Sequence, residues 1–276
     1  MTQAEKIARK SGSNLAFVFF SLPKEKRVDI STFYAFCRLV DDIADHSAAP
    51  LIARRVELEN WRTWVRRSGQ EEPELAGEIR RLISKYSLKL LYFEDILNGV
   101  ESDLEPVRYQ NFSQLSEYCY RVASAVGLVS IEIFGYRNSR CRDYAYYLGL
   151  ALQLTNIIRD VGVDLKNGGR IYLPLDEMAQ FSYSEADLMA QTYDDRFVNL
   201  MRSQAERAHA HFQKATEMLP PEDRRSMVAA ELMREVYFTL LNRIERDGFR
   251  VLSKKYRLSR AEKLWIISRH LAKNLT

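Results

Sequence analysis

Strand-like alternation of apolar and polar residues is nearly absent from this chain, and so is any apolar run approaching the roughly 18 residues that a membrane-spanning helix needs. The longest N-terminal apolar stretch, LAFVFF, is too short for a signal-peptide core and leads into a polar helix start, so neither a secretory leader nor a transmembrane anchor is expected. The three cysteines, Cys37, Cys119 and Cys141, form no CxxC pair and are odd in number, which excludes a disulfide framework and suits reduced thiols in a cytoplasmic setting. His46, His209, His211 and His270 have no zinc-site spacing, and only Glu206 to His209 has the Glu-x-x-His spacing that a di-iron bundle needs twice. No Gly-x-Gly-x-x-Gly turn is present to hold a nicotinamide cofactor in a Rossmann unit. The net charge of +4 comes from 41 basic and 37 acidic residues interleaved along the chain, which leaves no basic footprint for nucleic acid.

What remains is helical. Seven prolines punctuate segments whose apolar residues recur at helical spacing, and none interrupts a long periodic stretch. The pattern predicts helices near 3–10, 14–21, 24–45, 50–68, 73–86, 88–101, 112–135, 139–165, 184–190, 193–219, 222–252 and 259–273. With no Gly/Ser/Pro-rich linker and no repeat, all 276 residues read as one all-α domain, a bundle whose most apolar helices, 118–135 and 144–158, belong at its centre. Gly127 and Gly149 within them allow close helix packing or leave room for a ligand. Phe17, Phe19, Phe36, Tyr147, Tyr237 and Phe238 are core on the simplest view, and cavity wall if the bundle is hollow.

Two aspartate pairs share one spacing. Asp41 and Asp45 lie in RLVDDIADH, and Asp160 and Asp164 in NIIRDVGVDLKNGG. Residues four apart stack on one helix face, where like charges repel by about 0.2–0.5 kcal/mol, so each pair wants an offsetting cation. Tyr34, Arg38, Asp41 and Asp45 fall within roughly 60° of one another on a helix, and Gln153, Asn156, Asp160 and Asp164 form a similar stripe. Both stripes are polar within otherwise apolar helices. A single such pair usually marks a solvated face; two pairs in this setting point to a hard divalent cation, which takes one or two carboxylates and fills its other positions with water and phosphate oxygens. Asp42 is turned away from the first stripe. Arg38, Lys166 and Arg170 are placed to bind a diphosphate, with Gly168-Gly169 as a flexible loop, and Arg159 to brace the carboxylates. For any one of these cations a surface ion pair is the competing reading.

The stretches FYAFCRLVDDIAD, YCYRVASAVGLVSIEIFGYR and LGLALQLTNIIRDVGVDLKNGGRIYLPLDE resemble the squalene and phytoene synthases, the head-to-head prenyl synthases, over a region from about Ser11 to the end. Within that family the chain looks most like the bacterial presqualene diphosphate synthases of hopanoid biosynthesis. It departs from the family pattern at Val163, where a glutamate is usual, and at Asn14-Leu15, where Ser-Phe is usual; the first change spares both aspartates of its motif. The resemblance implies an isoprenoid-synthase bundle around a central cavity that ionises an allylic prenyl diphosphate and joins the cation to a second one. It implies magnesium, with manganese as its substitute, held by Asp41, Asp45, Asn156, Asp160 and Asp164. Ser13, Arg38, Gln153, Asn156, Arg159, Lys166 and Arg170 are implied as substrate contacts, and Tyr34, Arg38 and Tyr237 as catalytic residues, the two tyrosines offering ring faces to a carbocation. Farnesyl diphosphate and presqualene diphosphate are the substrate and product the resemblance implies, with onward conversion to squalene left open and no use of NADPH expected, since the bacterial enzymes the chain most resembles stop at the cyclopropyl diphosphate; phytoene synthase acting on geranylgeranyl diphosphate, or dehydrosqualene synthase, is the alternative. Val122, Val126, Leu128 and Leu150 are expected to set the cavity depth. The C-terminal KKYRLSRAEKLWIISRHLAKNLT, basic residues around Leu264 to Ile267, reads first as a packed helix and second as a peripheral contact with an anionic membrane surface.

Overall fold

A computed structural model describes residues 18–45 and 48–273. The expected helix at 3–10, most of that at 14–21, and Ser13, Asn14-Leu15, Phe17 and His46 lie outside the described residues. The described chain forms helices α1 (Lys24–Asp45), α2 (Leu51–Arg66), α3 (Glu74–Tyr86), α4 (Leu90–Ser102), α5 (Phe112–Cys119), α6 (Ala125–Phe134), α7 (Cys141–Lys166), α8 (Leu175–Gln180), α9 (Glu185–Met189), α10 (Asp195–Met218), α11 (Val228–Arg246) and α12 (Arg260–Lys273). Among the described residues there is no strand; one parallel bridge joins Arg108 to Ile171.

Helices α6 and α7, which carry apolar residues on several sides, are central. Helix α10 lies along α7, α6 and α11 pack on α7 from other sides, and α1 meets α3, α4 and α6. Where α1, α2 and α4 meet, Phe33, Phe36, Trp61 and Phe93 are almost completely buried. The Phe36 ring lies 5.4 Å from Trp61 and 5.6 Å from Phe93, within the range in which aromatic pairs add to their area burial. Phe36 is therefore core, whereas Phe238 is 38% exposed.

The structure departs from the periodicity at several points, most of them with local causes. The expected helix at 112–135 passes through a π-helical turn, Tyr120–Ser124. That wider turn is pressed between two glycines: a Cβ on Gly99 would fall 2.6 Å from Val122 Cγ1, and one on Gly149 would fall 2.5 Å from Ser124 Cα. The expected helix at 222–252 divides into a 3-10 turn, Pro221–Asp223, and α11, because the Asp223 carboxylate is committed elsewhere, accepting the backbone N–H groups of Arg137 and Asn138 at 2.8 and 3.0 Å. Gly248 and Phe249, both at positive φ, end α11 early. The short helix α8 was not expected from periodicity; Pro174 at its N-cap starts it. Phe19–Ser21 is a 3-10 turn rather than the end of an α-helix.

Candidate active site

Helix α1 carries Tyr34, Arg38, Asp41 and Asp45 towards its C-terminal end, and α7 carries Gln153, Asn156, Asp160 and Asp164. Past α7, Gly168 and Gly169 take positive φ (+84° and +68°), a conformation glycine adopts without steric cost, and the chain reverses. The reversal returns Arg170 to α1, where its Nη1 donates to Asp45 Oδ1 at 3.1 Å. The two aspartate helices are thus tied end to end by one guanidinium.

Arginines occupy three of the four aspartates. Arg38 donates to Asp41 Oδ2 at 3.0 Å and also pairs with Asp42, the spare acid, which is well exposed. Arg159 braces its own neighbour: its Nε donates to Asp160 Oδ1 at 2.8 Å and its Nη2 pairs with the other oxygen, the forked geometry favoured between guanidinium and carboxylate. Burial acts against that cation, but the bonds to Asp160 and the Tyr237 phenol hold its pKa above the usual arginine value. Among the described residues no ion pair involves Asp164. Burial and the neighbouring Asp160 push Asp164 up to about 7, while Arg170 pulls the other way. Burial and Asp45 similarly push Asp41 up to about 6. Lys166 is exposed on the last turn of α7 and makes no ion pair with the four aspartates.

Below the carboxylates lies an apolar cavity enclosing about 820 Å³ of atom-free space, its mouth included. Gln153 and Asn156 form its polar end, Val122, Val126, Gly127, Leu148 and Gly149 its walls, and Phe134 and Tyr144 its far end. Val122 and Ala123 reach it from the π-helical turn. The two readings of Gly127 and Gly149 are therefore compatible, since both line the cavity at positions of close helix approach. Of the four residues expected to set its depth, Val122 and Val126 line it; Leu128 and Leu150 do not and are buried in the core. Tyr237 is on the wall; Tyr34 does not line it, and its ring meets edge-on, at 6.0 Å, that of Phe19, which does.

The donor set suits a hard divalent ion. Asn156 Nδ2 donates to Gln153 Oε1 at 3.2 Å, which leaves Asn156 Oδ1 a buried acceptor with no partner. Such an orphan is costly unless a ligand satisfies it. Among the described residues no three His, Cys, Asp or Glu side chains converge to chelate an ion by themselves, and magnesium, which takes few protein ligands and keeps waters or phosphate oxygens, does not require that.

Sequence periodicity missed Asp103, which follows α4. Its carboxylate accepts from Tyr172 Oη at 2.7 Å and Tyr118 Oη at 2.8 Å, and its charge raises the pKa of both Asp41 and Asp164. No helical stripe could have flagged it.

Residues 8–262 match the squalene/phytoene synthase family. The chain belongs to that family and is a prenyltransferase. It is 36% identical over 85% of its length to a 15-cis-phytoene synthase of Synechococcus elongatus, covering 80% of that protein. It is 34% identical over 93% of its length to a presqualene diphosphate synthase of Rhodopseudomonas palustris, covering 92% of it. The crystal structure of a dehydrosqualene synthase in complex with ligand superposes with a TM-score of 0.84 at 26% identity, over 98% of this chain and 94% of that one. The enzyme thus has the family's isoprenoid-synthase fold and belongs to the head-to-head condensing prenyltransferases, whose substrates are prenyl diphosphates.

Proposed function

We propose that this enzyme joins two molecules of farnesyl diphosphate head to head, with magnesium, and releases presqualene diphosphate, one inorganic diphosphate and a proton. The observation that carries this reading is the position of the cavity's polar end, Asn156 and Gln153, one and two turns from Asp160 on the same helix. Bound divalent ions would supply Lewis-acid charge to the departing diphosphate. Asp41, Asp45, Asp160, Asp164 and Asn156 Oδ1 would hold them. Arg38, Arg159 and Arg170, now on the carboxylates, would be freed to clamp phosphate oxygens, favouring ionisation of the C1–O bond of the donor. The second molecule's double bond attacks that carbon, and proton loss closes the cyclopropane. The apolar walls keep water from the cation, and the Tyr237 ring can stabilise it.

A farnesyl tail fits within the length of the cavity along α7. Tyr144 and Asn156 are twelve residues apart on α7, about 18 Å along the axis. With carbon–carbon bonds of about 1.5 Å, an extended farnesyl main chain spans roughly 14 Å and a geranylgeranyl one roughly 19 Å. The near-complete coverage of the presqualene diphosphate synthase favours the same substrate. Phytoene synthesis is the second reading, favoured by the 36% identity to the Synechococcus enzyme. Incubation with magnesium and either farnesyl or geranylgeranyl diphosphate, with and without NADPH, tests both. Presqualene diphosphate from the first, unchanged by NADPH, is expected; exclusive phytoene from the second, or squalene with stoichiometric NADPH oxidation, would refute the assignment.

We place the enzyme in the cytoplasm, resting peripherally on the inner membrane surface. Leu264 and Trp265 on α12 are 56% and 61% exposed, with Lys263 beside them and Arg269, paired with Glu235, lying over the Trp265 ring. Co-sedimentation with anionic but not neutral vesicles is expected, and equal pelleting with both or neither counts against this placement.

A further inference from the structure

Asp103 stands where three separate parts of the chain meet: the end of α4, the last turn of α5, and the segment after the Gly168-Gly169 reversal. Both carboxylate oxygens are engaged by phenols, Tyr172 on Oδ1 and Tyr118 on Oδ2. The two rings stack with centroids 5.1 Å apart, and Tyr109 packs against Tyr172 at 6.2 Å, so the phenols are fixed by their own packing. Tyr172 is only two residues past Arg170, and the Asp103 carbonyl accepts from Arg170 Nη2 at 2.9 Å. One guanidinium therefore has a charged partner on α1, Asp45, and a neutral partner at the end of α4.

We propose that Asp103 is a positioning residue of the diphosphate site: its carboxylate pins the 170–172 segment through Tyr172 while its carbonyl retains Arg170, so that the guanidinium can leave Asp45 for an incoming phosphate without leaving the site. The carbonyl bond competes with neither a cation nor a phosphate for Asp45. A cation settling on Asp45 displaces Nη1 only, and the arginine pivots about Nη2 instead of swinging into solvent. Preorganisation of this kind reduces the ordering cost of clamping a charged ligand. No bond is made or broken by Asp103 itself.

The inference rests on the diphosphate reading above, and the experiment separates the two. Titrate the full-length protein with inorganic diphosphate in the presence of magnesium, and measure turnover in parallel, for the parent enzyme, Asp103→Asn, Arg170→Ala and the double variant. Asp103→Asn should weaken diphosphate binding about tenfold, the scale of one charge-assisted hydrogen bond, and raise KM more than it lowers kcat. In the Arg170→Ala background the same change should cost less than about twofold, because its effect passes through the arginine. Multiplicative losses in the double variant would show an independent structural role and overturn the proposal, as would unchanged binding in Asp103→Asn. A parent enzyme that does not bind magnesium diphosphate at all would instead overturn the diphosphate reading. If Asp103→Asn does not fold, Tyr172→Phe keeps the stacked ring, removes one phenol, and is expected to show the same non-additivity with Arg170→Ala; additivity there overturns the proposal equally.

Discussion

Arg170 Nη1 lies 3.1 Å from Asp45 Oδ1 across 125 residues of sequence, and this contact closes the site before any cation arrives. The same chemistry recurs at Arg38 with Asp41 and at Arg159 with Asp160. Three of the four carboxylates that repel one another along the two helices are thus neutralised from within, Asp164 excepted, and the arginines are held where a leaving diphosphate would need them. A metal and a phosphate would exchange partners with these pairs rather than enter a vacant cage.

If the four aspartates act as one unit, Asp41→Asn, Asp45→Asn, Asp160→Asn and Asp164→Asn should each lower turnover about a hundredfold or more, the usual scale for loss of one electrostatic contact to the transition state. Each change conserves volume, so circular dichroism should remain helical. Asp42→Asn should be milder, since Asp42 is exposed and meets only Arg38. Near-normal turnover in a member of each pair would remove the mechanism.

Acidity provides a second check. Asp164 and Asp41 titrate near 7 and 6 in the ion-free protein, well above the ordinary value of 3.8. A carboxyl whose pKa is raised by folding favours the folded state below its unfolded pKa, and that contribution is lost as pH rises through the folded pKa. The metal-free enzyme should therefore gain thermal stability as pH falls from about 7.5 towards 5. His211, whose pKa burial and Arg207 hold below its ordinary value of 6.5, offsets part of this gain as pH falls below that value, and Glu235 and Glu262, held near 2 by their partners, oppose it below about pH 4.5. Magnesium binding should show the opposite trend, weakening through the same window and releasing protons. Calorimetric titrations in buffers of different ionisation enthalpy read that release directly, and a proton count of zero at pH 6.5 would contradict the assignment.

How far the site was legible depends on how each residue reaches it. Asp41, Asp45, Asp160, Asp164, Arg38, Gln153 and Asn156 lie on two regular helices, so the 3.6-residue period alone aligned them. Asp103, Tyr118 and Tyr172 come from a helix end, a helix terminus and a loop, and their meeting is a tertiary event with no local signal. The π-helical turn escaped notice for a related reason: nothing in YRVAS marks it, while its packing partners Gly99 and Gly149 lie in other helices. Leu128 and Leu150 were misplaced because helical apolarity does not distinguish a cavity wall from solid core.

Gly168→Ala and Gly169→Ala test the reversal that returns Arg170. A Cβ at either position meets nothing within 4 Å, so the cost is conformational only, about 1–2 kcal/mol for a left-handed alanine. That amounts to a few degrees of Tm in a chain of this size. Because the strain is relieved by moving the segment that carries Arg170, turnover should fall about tenfold or more while Tm changes little. A loss of Tm with unchanged turnover would mean that Arg170 does not depend on this turn.

The far end of the cavity yields the last prediction. Tyr144 is fully buried, and its hydroxyl donates to Glu231 Oε1 at 2.9 Å, with Glu231 in turn held by Arg234. A ring fixed at its tip from α11 cannot swing aside, so a tail entering from Asn156 meets a rigid stop about 18 Å along α7. Tyr144→Leu shortens the side chain while keeping it apolar. It should cost some stability, because a buried volume is lost, and should raise turnover of geranylgeranyl relative to farnesyl diphosphate. Val126→Phe, projecting into the wall of the same cavity, should do the reverse and suppress the longer substrate first. Competition assays with both substrates in one vessel, scored by product chain length, report the ratio independently of how much enzyme has folded. If Tyr144→Leu folds and leaves that ratio unchanged, the tail does not reach Tyr144.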